Sequence, residues 1–236
     1  MHSWYVDPIT GSADRQNERI AVMKVLPDVI PAITPTVDLQ VAFGEGSGIG
    51  DHGGEGGDVL AGVFLEPAMT RTPPRVQATA FHEDVRKYTL MLVDPDAPNE
   101  DAQTFGTYVH WLLTDIPLSV GATELSAANE ALSYVSPHPQ AGTPYHRYTM
   151  VLFEQGTEPV RAPAAREGLD VAQFAWENGL TPAGIHFFRE RWTEANKRQV
   201  SAIYAEELQI PEPRYGRVGR GDKLKDELGE QHSRYY

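Results

Sequence analysis

The chain has 236 residues and no cysteine. This absence excludes disulfide bonds, thiolate metal ligands and thiol nucleophiles together, and it fits a reducing compartment. A chain of this length can bury a sizeable core without such cross-links. Any chemistry must therefore come from histidine, carboxylate, hydroxyl or basic groups.

Long apolar runs and an excess of basic residues are also lacking. No stretch reaches the roughly 18 apolar residues that a membrane-spanning helix needs. The first eight residues show neither the apolar core of a signal peptide nor the arginine-rich pattern of an organellar transit peptide. With 20 basic against 33 acidic residues, the formal net charge is −13. This balance argues against a free-standing nucleic-acid-binding protein, which would present a basic surface.

The chain is predicted to consist of an arm, one domain and a tail. Residues 1–19 are polar and are expected to form an N-terminal arm, residues 20–208 a single domain, and residues 209–236 a C-terminal tail. Within the domain, residues 44–57 read GEGSGIGDHGGEGG. They lack the Gly-Lys-Ser/Thr of a phosphate-binding loop, so a surface loop is favoured over a nucleotide site.

The pattern of apolar residues is that of a β-rich domain. Six segments have the alternating or continuously apolar pattern of strands: residues 37–43, 59–65, 76–81, 88–93, 108–114 and 146–153. A short helix is predicted before Pro27, a helical or irregular excursion over 122–131, and helices over 167–178 and 185–208. Many strands followed by two helices, without strand–helix alternation, indicate a mostly β or α+β fold.

Two aspartates follow the strand predicted over 88–93, in the sequence Asp94-Pro95-Asp96-Ala97-Pro98. The prolines fix φ and remove backbone donors, which predicts an abrupt turn. One carboxylate can hold that turn by accepting backbone N–H groups, while the other faces a cavity at the end of the strand. The alternative is a turn that carries two solvated aspartates.

A histidine, His110, lies in the strand predicted over 108–114. The two-residue period of a strand places His110 on one face, with Val109 and Trp111 on the other. A lone histidine on an apolar strand is usually a satisfied core residue, so His110 alone assigns no function.

A second histidine begins the sequence His146-Arg147-Tyr148. His146 and Tyr148 share a face of the predicted strand, and Arg147 points oppositely, where it is the natural ion-pair partner of an aspartate elsewhere. Two histidines and two aspartates suit a metal ion in principle, but the close histidine spacing of a helical metal motif is absent. Because a Gly-x-Ser-x-Gly motif is absent too, we expect no metal, no cofactor and no catalytic residue.

Taken in order and spacing, these motifs resemble the phosphatidylethanolamine-binding protein (PEBP) family. Supporting matches are Pro27–Ile30, Gly62–Leu65 and Phe174-Ala175. The resemblance implies a central β-sheet sandwich with C-terminal helices, and a pocket for phosphate-type anions such as the phosphoethanolamine head group. The pocket residues that it implies are Asp94, Asp96, His110, Pro137, His146 and Tyr148.

Two residues depart from the family pattern beside the second histidine. Pro144 stands where the family commonly has glycine, and its ring removes an N–H that could face an anion. The bulky Tyr145 narrows the expected entrance to the pocket.

Within the family, the segments His110–Ser119 and Ile210–Arg217 are similar to a fungal mitochondrial large-ribosomal-subunit protein built on a PEBP domain. This likeness implies a non-catalytic structural component of the mitochondrial ribosome in the matrix. It would dock on ribosomal proteins and rRNA through a tail containing Arg214, Tyr215 and Arg217. The alternative is a free cytosolic PEBP-like protein that binds phosphate or phospholipid head groups, or inhibits a protease or kinase.

Overall fold

A computed structural model describes residues 18–44, 59–99, 104–125 and 129–213. The predicted arm, glycine-rich loop and tail lie largely outside these ranges, and the docking residues Arg214, Tyr215 and Arg217 lie wholly outside them. The arm, the surface loop and the docking tail therefore stay predictions. No helix in the described ranges is long and apolar enough to cross a membrane.

Two antiparallel sheets dominate the described part of the chain. The strands are β1 Val37–Ala42, β2 Arg75–Ala80, β3 Arg86–Asn99, β4 Thr104–Leu118, β5 Gly121–Glu124, β6 Asn129–Leu132, β7 His146–Gln155 and β8 Thr181–Glu190. The smaller sheet has the order β1-β2-β5, and the larger has the order β6-β4-β3-β7-β8. The helices are α1 Val25–Asp28, α2 Val171–Glu177 and α3 Lys197–Ala202, and α3 continues into a π-helical turn, Ile203–Leu208. The predicted mostly β, α+β sandwich with C-terminal helices is confirmed.

The larger sheet is buried on both of its faces. On β3, Leu90 and Leu92 belong to the apolar cluster that includes β1 and β2 of the smaller sheet. Met91 and Val93 belong to a second cluster, which includes Phe174 of α2. A strand covered on both sides needs apolar residues at successive positions, which explains the continuous apolar runs in the sequence.

The segment 59–65, predicted as a strand, runs beside β8 without forming one. Gly62 adopts φ +77°, a left-handed conformation that interrupts an extended chain. Its N–H donates to the carbonyl of Phe187 (2.7 Å), and the N–H of Leu65 donates to that of Arg189 (2.8 Å). The segment therefore covers the edge of β8 by isolated contacts instead of a continuous ladder.

Two other predicted segments differ in the structure. Residues 122–131, expected to be helical or irregular, contribute the short strands β5 and β6. The helix predicted over 185–208 was wrong in its first part, because residues 185–190 belong to β8 and the C-terminal helix begins only at Lys197. A short apolar run suits a buried strand as well as a helix, and periodicity alone does not separate them. Pairing with β7 decides in favour of the strand, for example between Val151 and Ile185.

Candidate functional site

The aspartate pair lies on a bulge of β3 and not on the abrupt turn that was predicted. The strand continues to Asn99, and its register with β4 shifts between Asp94 and Ala97. Pro95 falls inside this shift, where no ladder hydrogen bond is lost. The Oδ1 atom of Asp94 accepts the N–H of Asp96 at 2.8 Å. One carboxylate thus holds the local backbone, as predicted.

Asp96 is bound by Arg147, so its carboxylate does not stand open to a pocket. It accepts the Arg147 backbone N–H (3.0 Å), Nε–H (2.8 Å) and one Nη2–H (2.9 Å). The other guanidinium donors reach Asp28 (2.7 Å) and the carbonyls of Met23 and Lys24 (both 2.8 Å). The predicted ion pair of Arg147 with an aspartate elsewhere is confirmed, and it ties β3 and β7 to the segment around α1.

His146 lies at the centre of the site and has no exposed surface. Its Nδ1 is 2.6 Å from Oδ2 of Asp94, and its Nε2 is 2.8 Å from Oγ1 of Thr143. Burial alone would lower the pKa of His146, but the charge of Asp94 and the hydrogen bond to it outweigh burial and raise that pKa above its usual value. The imidazolium form is therefore favoured.

Two further histidines pack beside this pair with their rings inclined to each other. His110 and His138 have ring centroids 5.0 Å apart, and His110 lies 5.2 Å from the ring of Tyr148. Their Nδ1 atoms approach the carbonyls of Val135 (2.9 Å) and Ser136 (2.7 Å). Because a carbonyl only accepts, both Nδ1 atoms carry the proton. Burial lowers the pKa of both rings, which favours their neutral forms.

The prediction of which side chains around His110 share a face of the strand was wrong in one respect. The register of β4 against β3 shifts by one residue between Val109 and Trp111, so His110 is the extra residue of a bulge. Val109 and Trp111 consequently pack into opposite apolar clusters, although the two-residue period placed them together.

Neither His138 nor Glu190 was predicted as a site residue from the sequence. His138 lies in the sequence Pro137-His138-Pro139, and the edge of Tyr204 packs on its ring at 5.3 Å. Glu190 of β8 pairs in register with His146, and its Oε1 accepts the hydroxyl of Thr70 at 2.7 Å. Burial raises the pKa of Glu190 well above its usual value. An acidic residue inside an apolar strand would have indicated Glu190 as a site residue. Because its segment was predicted to be a helix, the sequence did not indicate that it lies in a strand.

The implied pocket residues are brought together only in part. Asp94, His110, His146 and Tyr148 form one buried group with Pro137 nearby on the 133–145 loop, whereas Asp96 belongs to the Arg147 network. Burial raises the pKa of Tyr148, so its phenol keeps its proton. No group of three or more potential ligands that could hold a metal ion occurs among the described residues. The site is therefore a buried His146–Asp94 pair in which the imidazolium form is favoured, beside two histidine rings that favour their neutral forms.

The chain is similar to proteins of one family over most of its length. The family model of phosphatidylethanolamine-binding proteins matches residues 42–196. CEN-like protein 1 of Nicotiana tabacum is 34% identical over 190 residues, which cover 79% of this chain and 99% of the relative. Protein FLOWERING LOCUS T of Arabidopsis thaliana is 32% identical over 77% of this chain and 95% of the relative.

Solved structures share the fold at lower identity. A carboxypeptidase Y inhibitor, solved with its cognate proteinase, superposes with a TM-score of 0.63 at 22% identity and covers 76% of this chain and 96% of its own. A phosphatidylethanolamine-binding protein from Plasmodium vivax gives a TM-score of 0.57 at 22% identity, with 75% and 97% covered.

Proposed function

The chain belongs to the phosphatidylethanolamine-binding protein family, and from this premise we propose that it is a non-catalytic binding protein whose buried histidine–aspartate site takes a phosphate-type anion. The observation that carries the proposal is the His146–Asp94 pair at 2.6 Å. A cationic ring held by a buried carboxylate can direct its second N–H to an anionic oxygen. The protonated phenol of Tyr148, stacked 6.2 Å from the His146 ring, offers another donor.

An enzymatic role is disfavoured by the same contacts. Thr143, His146 and Asp94 are connected like a hydroxyl–histidine–carboxylate triad. However, the Thr143 hydroxyl lies 2.7 Å from the carbonyl of Gln140, which can only accept, so its proton points there and not toward His146. Because Asp94 raises the pKa of His146, the protonated form of the ring is favoured, and that form cannot act as a general base. Pro144, which follows Thr143, also provides no N–H for an oxyanion.

Titration calorimetry with phosphoethanolamine and with inorganic phosphate tests the proposal. We expect saturable 1:1 binding by the wild-type protein and its loss in His146→Gln, because glutamine carries no charge. His82→Gln is the matched control. His82 lies on the loop between β2 and β3, and its ring contacts the hydroxyl of Tyr88 (2.7 Å) instead of Asp94. A wild-type protein that binds neither compound at millimolar concentration contradicts the proposal.

The anion site is also compatible with an inhibitory role toward a protease or kinase, which we keep within the proposal because one structural relative was solved with a proteinase. Inhibition assays against a panel of serine carboxypeptidases test this extension. A pocket variant such as His146→Gln would separate inhibition through the site from inhibition through another surface.

A second candidate is a structural role in the mitochondrial large ribosomal subunit. It is favoured by the Ile210–Arg217 motif and by the internal hydrogen bonds of His146, which suit a site retained for packing. None of the relatives named above carries a ribosomal name, so this candidate ranks second. Sedimentation of a mitochondrial lysate tests it: co-migration with the large subunit, lost on removal of the residues after Pro211, supports it. Signal only at the top of the gradient contradicts it.

A further inference from the structure

The position facing Nε2 of His146 is occupied by the chain itself. We propose that Thr143 is an internal ligand of His146, so that the anion site opens only when the turn formed by residues 140–144 moves away. This inference rests on the proposed anion-binding function and adds its regulation. It is carried by three distances: His146 Nδ1 to Asp94 Oδ2, His146 Nε2 to Thr143 Oγ1, and Thr143 Oγ1 to the Gln140 carbonyl oxygen, of 2.6, 2.8 and 2.7 Å.

A count of protons assigns the direction of each bond. Thr143 has one hydroxyl proton, and the Gln140 carbonyl has none to offer, so that proton lies between them. Thr143 Oγ1 must then accept from His146, which places a proton on Nε2. The carboxylate of Asp94 accepts the hydrogen bond from Nδ1–H at 2.6 Å. His146 therefore donates from both nitrogens, and the threonine oxygen holds the place of an anionic acceptor.

The turn that supplies this oxygen is built to lie over the histidine. Gly142 adopts φ +87°, and the Thr143 N–H donates to the Gln140 carbonyl at 3.2 Å. Thr143 and Pro144 are only partly buried, whereas His146 is fully enclosed. Thr143, whose Oγ1 contacts His146, therefore links the buried ring to a turn that reaches the surface.

An anion that enters must replace the threonine hydroxyl as acceptor. A charged oxygen is a stronger acceptor than a hydroxyl, so the exchange is favourable once the turn has moved. Breaking the resident bond nevertheless weakens the observed affinity, because the open state is only a fraction of the population. Hydrogen bonds to charged groups are strong enough to give a penalty of about 10- to 100-fold in affinity.

The test compares phosphate binding by the wild-type protein with that by Thr143→Ala and Thr143→Ser. Alanine removes the hydroxyl and opens space, whereas serine keeps the hydroxyl and is the matched control. We expect inorganic phosphate to bind Thr143→Ala about 10- to 100-fold more tightly than the wild type, and Thr143→Ser to bind like the wild type. Thermal unfolding checks that each variant is folded, and Thr143→Val, which keeps the volume without the hydroxyl, replaces alanine if it is not.

The outcomes separate the anion site from the latch, by which we mean the Thr143–His146 contact that holds the turn 140–144 in place. Equal affinity for phosphate in the wild type and Thr143→Ala overturns the latch and leaves the proposed function standing. Failure of the wild type to bind phosphate or phosphoethanolamine at millimolar concentration overturns the proposed function and the latch with it. A measurement on the wild type needs no variant: the ¹⁵N shifts of His146 at neutral pH should show two protonated ring nitrogens. An unprotonated Nε2 would overturn the latch whatever the affinities are.

Discussion

Removal of the Arg147 guanidinium should destabilise the fold more than removal of a surface arginine that also pairs with two carboxylates. All five of its N–H donors are used, on Asp96, Asp28 and the carbonyls of Met23 and Lys24. Arg147→Met keeps much of the aliphatic volume but leaves the Asp96 carboxylate, with a side chain only 9% exposed, without its counter-charge. The perturbation is therefore an uncompensated buried charge and not a cavity.

The expected cost follows from that difference. Breaking a buried ion pair by removing one partner costs about 3–5 kcal/mol, because the remaining charge stays desolvated. In a domain of this size each kilocalorie lowers Tm by about 2–4 °C, so a drop of about 6–20 °C is expected. Arg86→Met is the matched control: Arg86 also bonds two carboxylates, those of Asp84 and Glu154, but its side chain is 40% exposed. Water can replace its partners, so its unfolding midpoint should hardly move.

Urea denaturation followed by circular dichroism measures both variants. The slope m should be unchanged, since the same surface is exposed on unfolding, and only the midpoint should fall. Asp96→Asn combined with Arg147→Met should recover part of the loss, because the amide oxygen can still accept the backbone N–H of residue 147 without a buried charge. Equal midpoints for Arg147→Met and Arg86→Met, or no recovery in the double variant, would refute the reasoning.

Three further predictions concern packing and pH. Gly184→Ala should lower the free energy of unfolding by about 1–3 kcal/mol, because an added Cβ would lie 2.9 Å from the Val37 carbonyl oxygen. Gly106→Ala is the control, since the heavy atom nearest to its added Cβ would be 3.8 Å away, and it should leave the midpoint of the same urea titration unchanged. Burial lowers the pKa of His186 to about 4 from 6.5, so the unfolded chain binds the proton more readily, and stability should fall by up to about 3 kcal/mol as pH drops from 6.5 to 4. His186→Gln should flatten that part of the stability–pH curve, and an unchanged slope would show that another group is responsible. Sulfate, whose charge is constant near neutral pH, should bind less tightly as pH rises through the raised pKa of His146. Calorimetry that finds the same affinity from pH 6 up to the onset of alkaline unfolding would contradict an imidazolium as the group that binds the anion.

Much of the fold could be predicted because its strands carry simple patterns. The alternation over 37–43 and the continuous apolar runs over 88–93 and 146–153 fall on β1, β3 and β7. The helix predicted over 185–208 failed because β8 is apolar at successive positions and buried on both faces, and a helical face can be drawn through the same residues. What separates the two is the pairing with β7, which is a contact between residues about 35 positions apart.

The site was harder to predict than the fold because β-bulges lie at two of its key positions. A strand of regular period would turn alternate residues the same way, but β3 shifts register after Asp94 and β4 shifts at His110. A bulge re-aims side chains by one position and leaves no periodic signal in the sequence. Residue identities therefore indicate which groups can take part, while the bulges decide that Asp94 turns to His146 and Asp96 to Arg147. The family resemblance placed both carboxylates in one pocket, whereas the structure divides them between the pair with His146 and the ion network of Arg147.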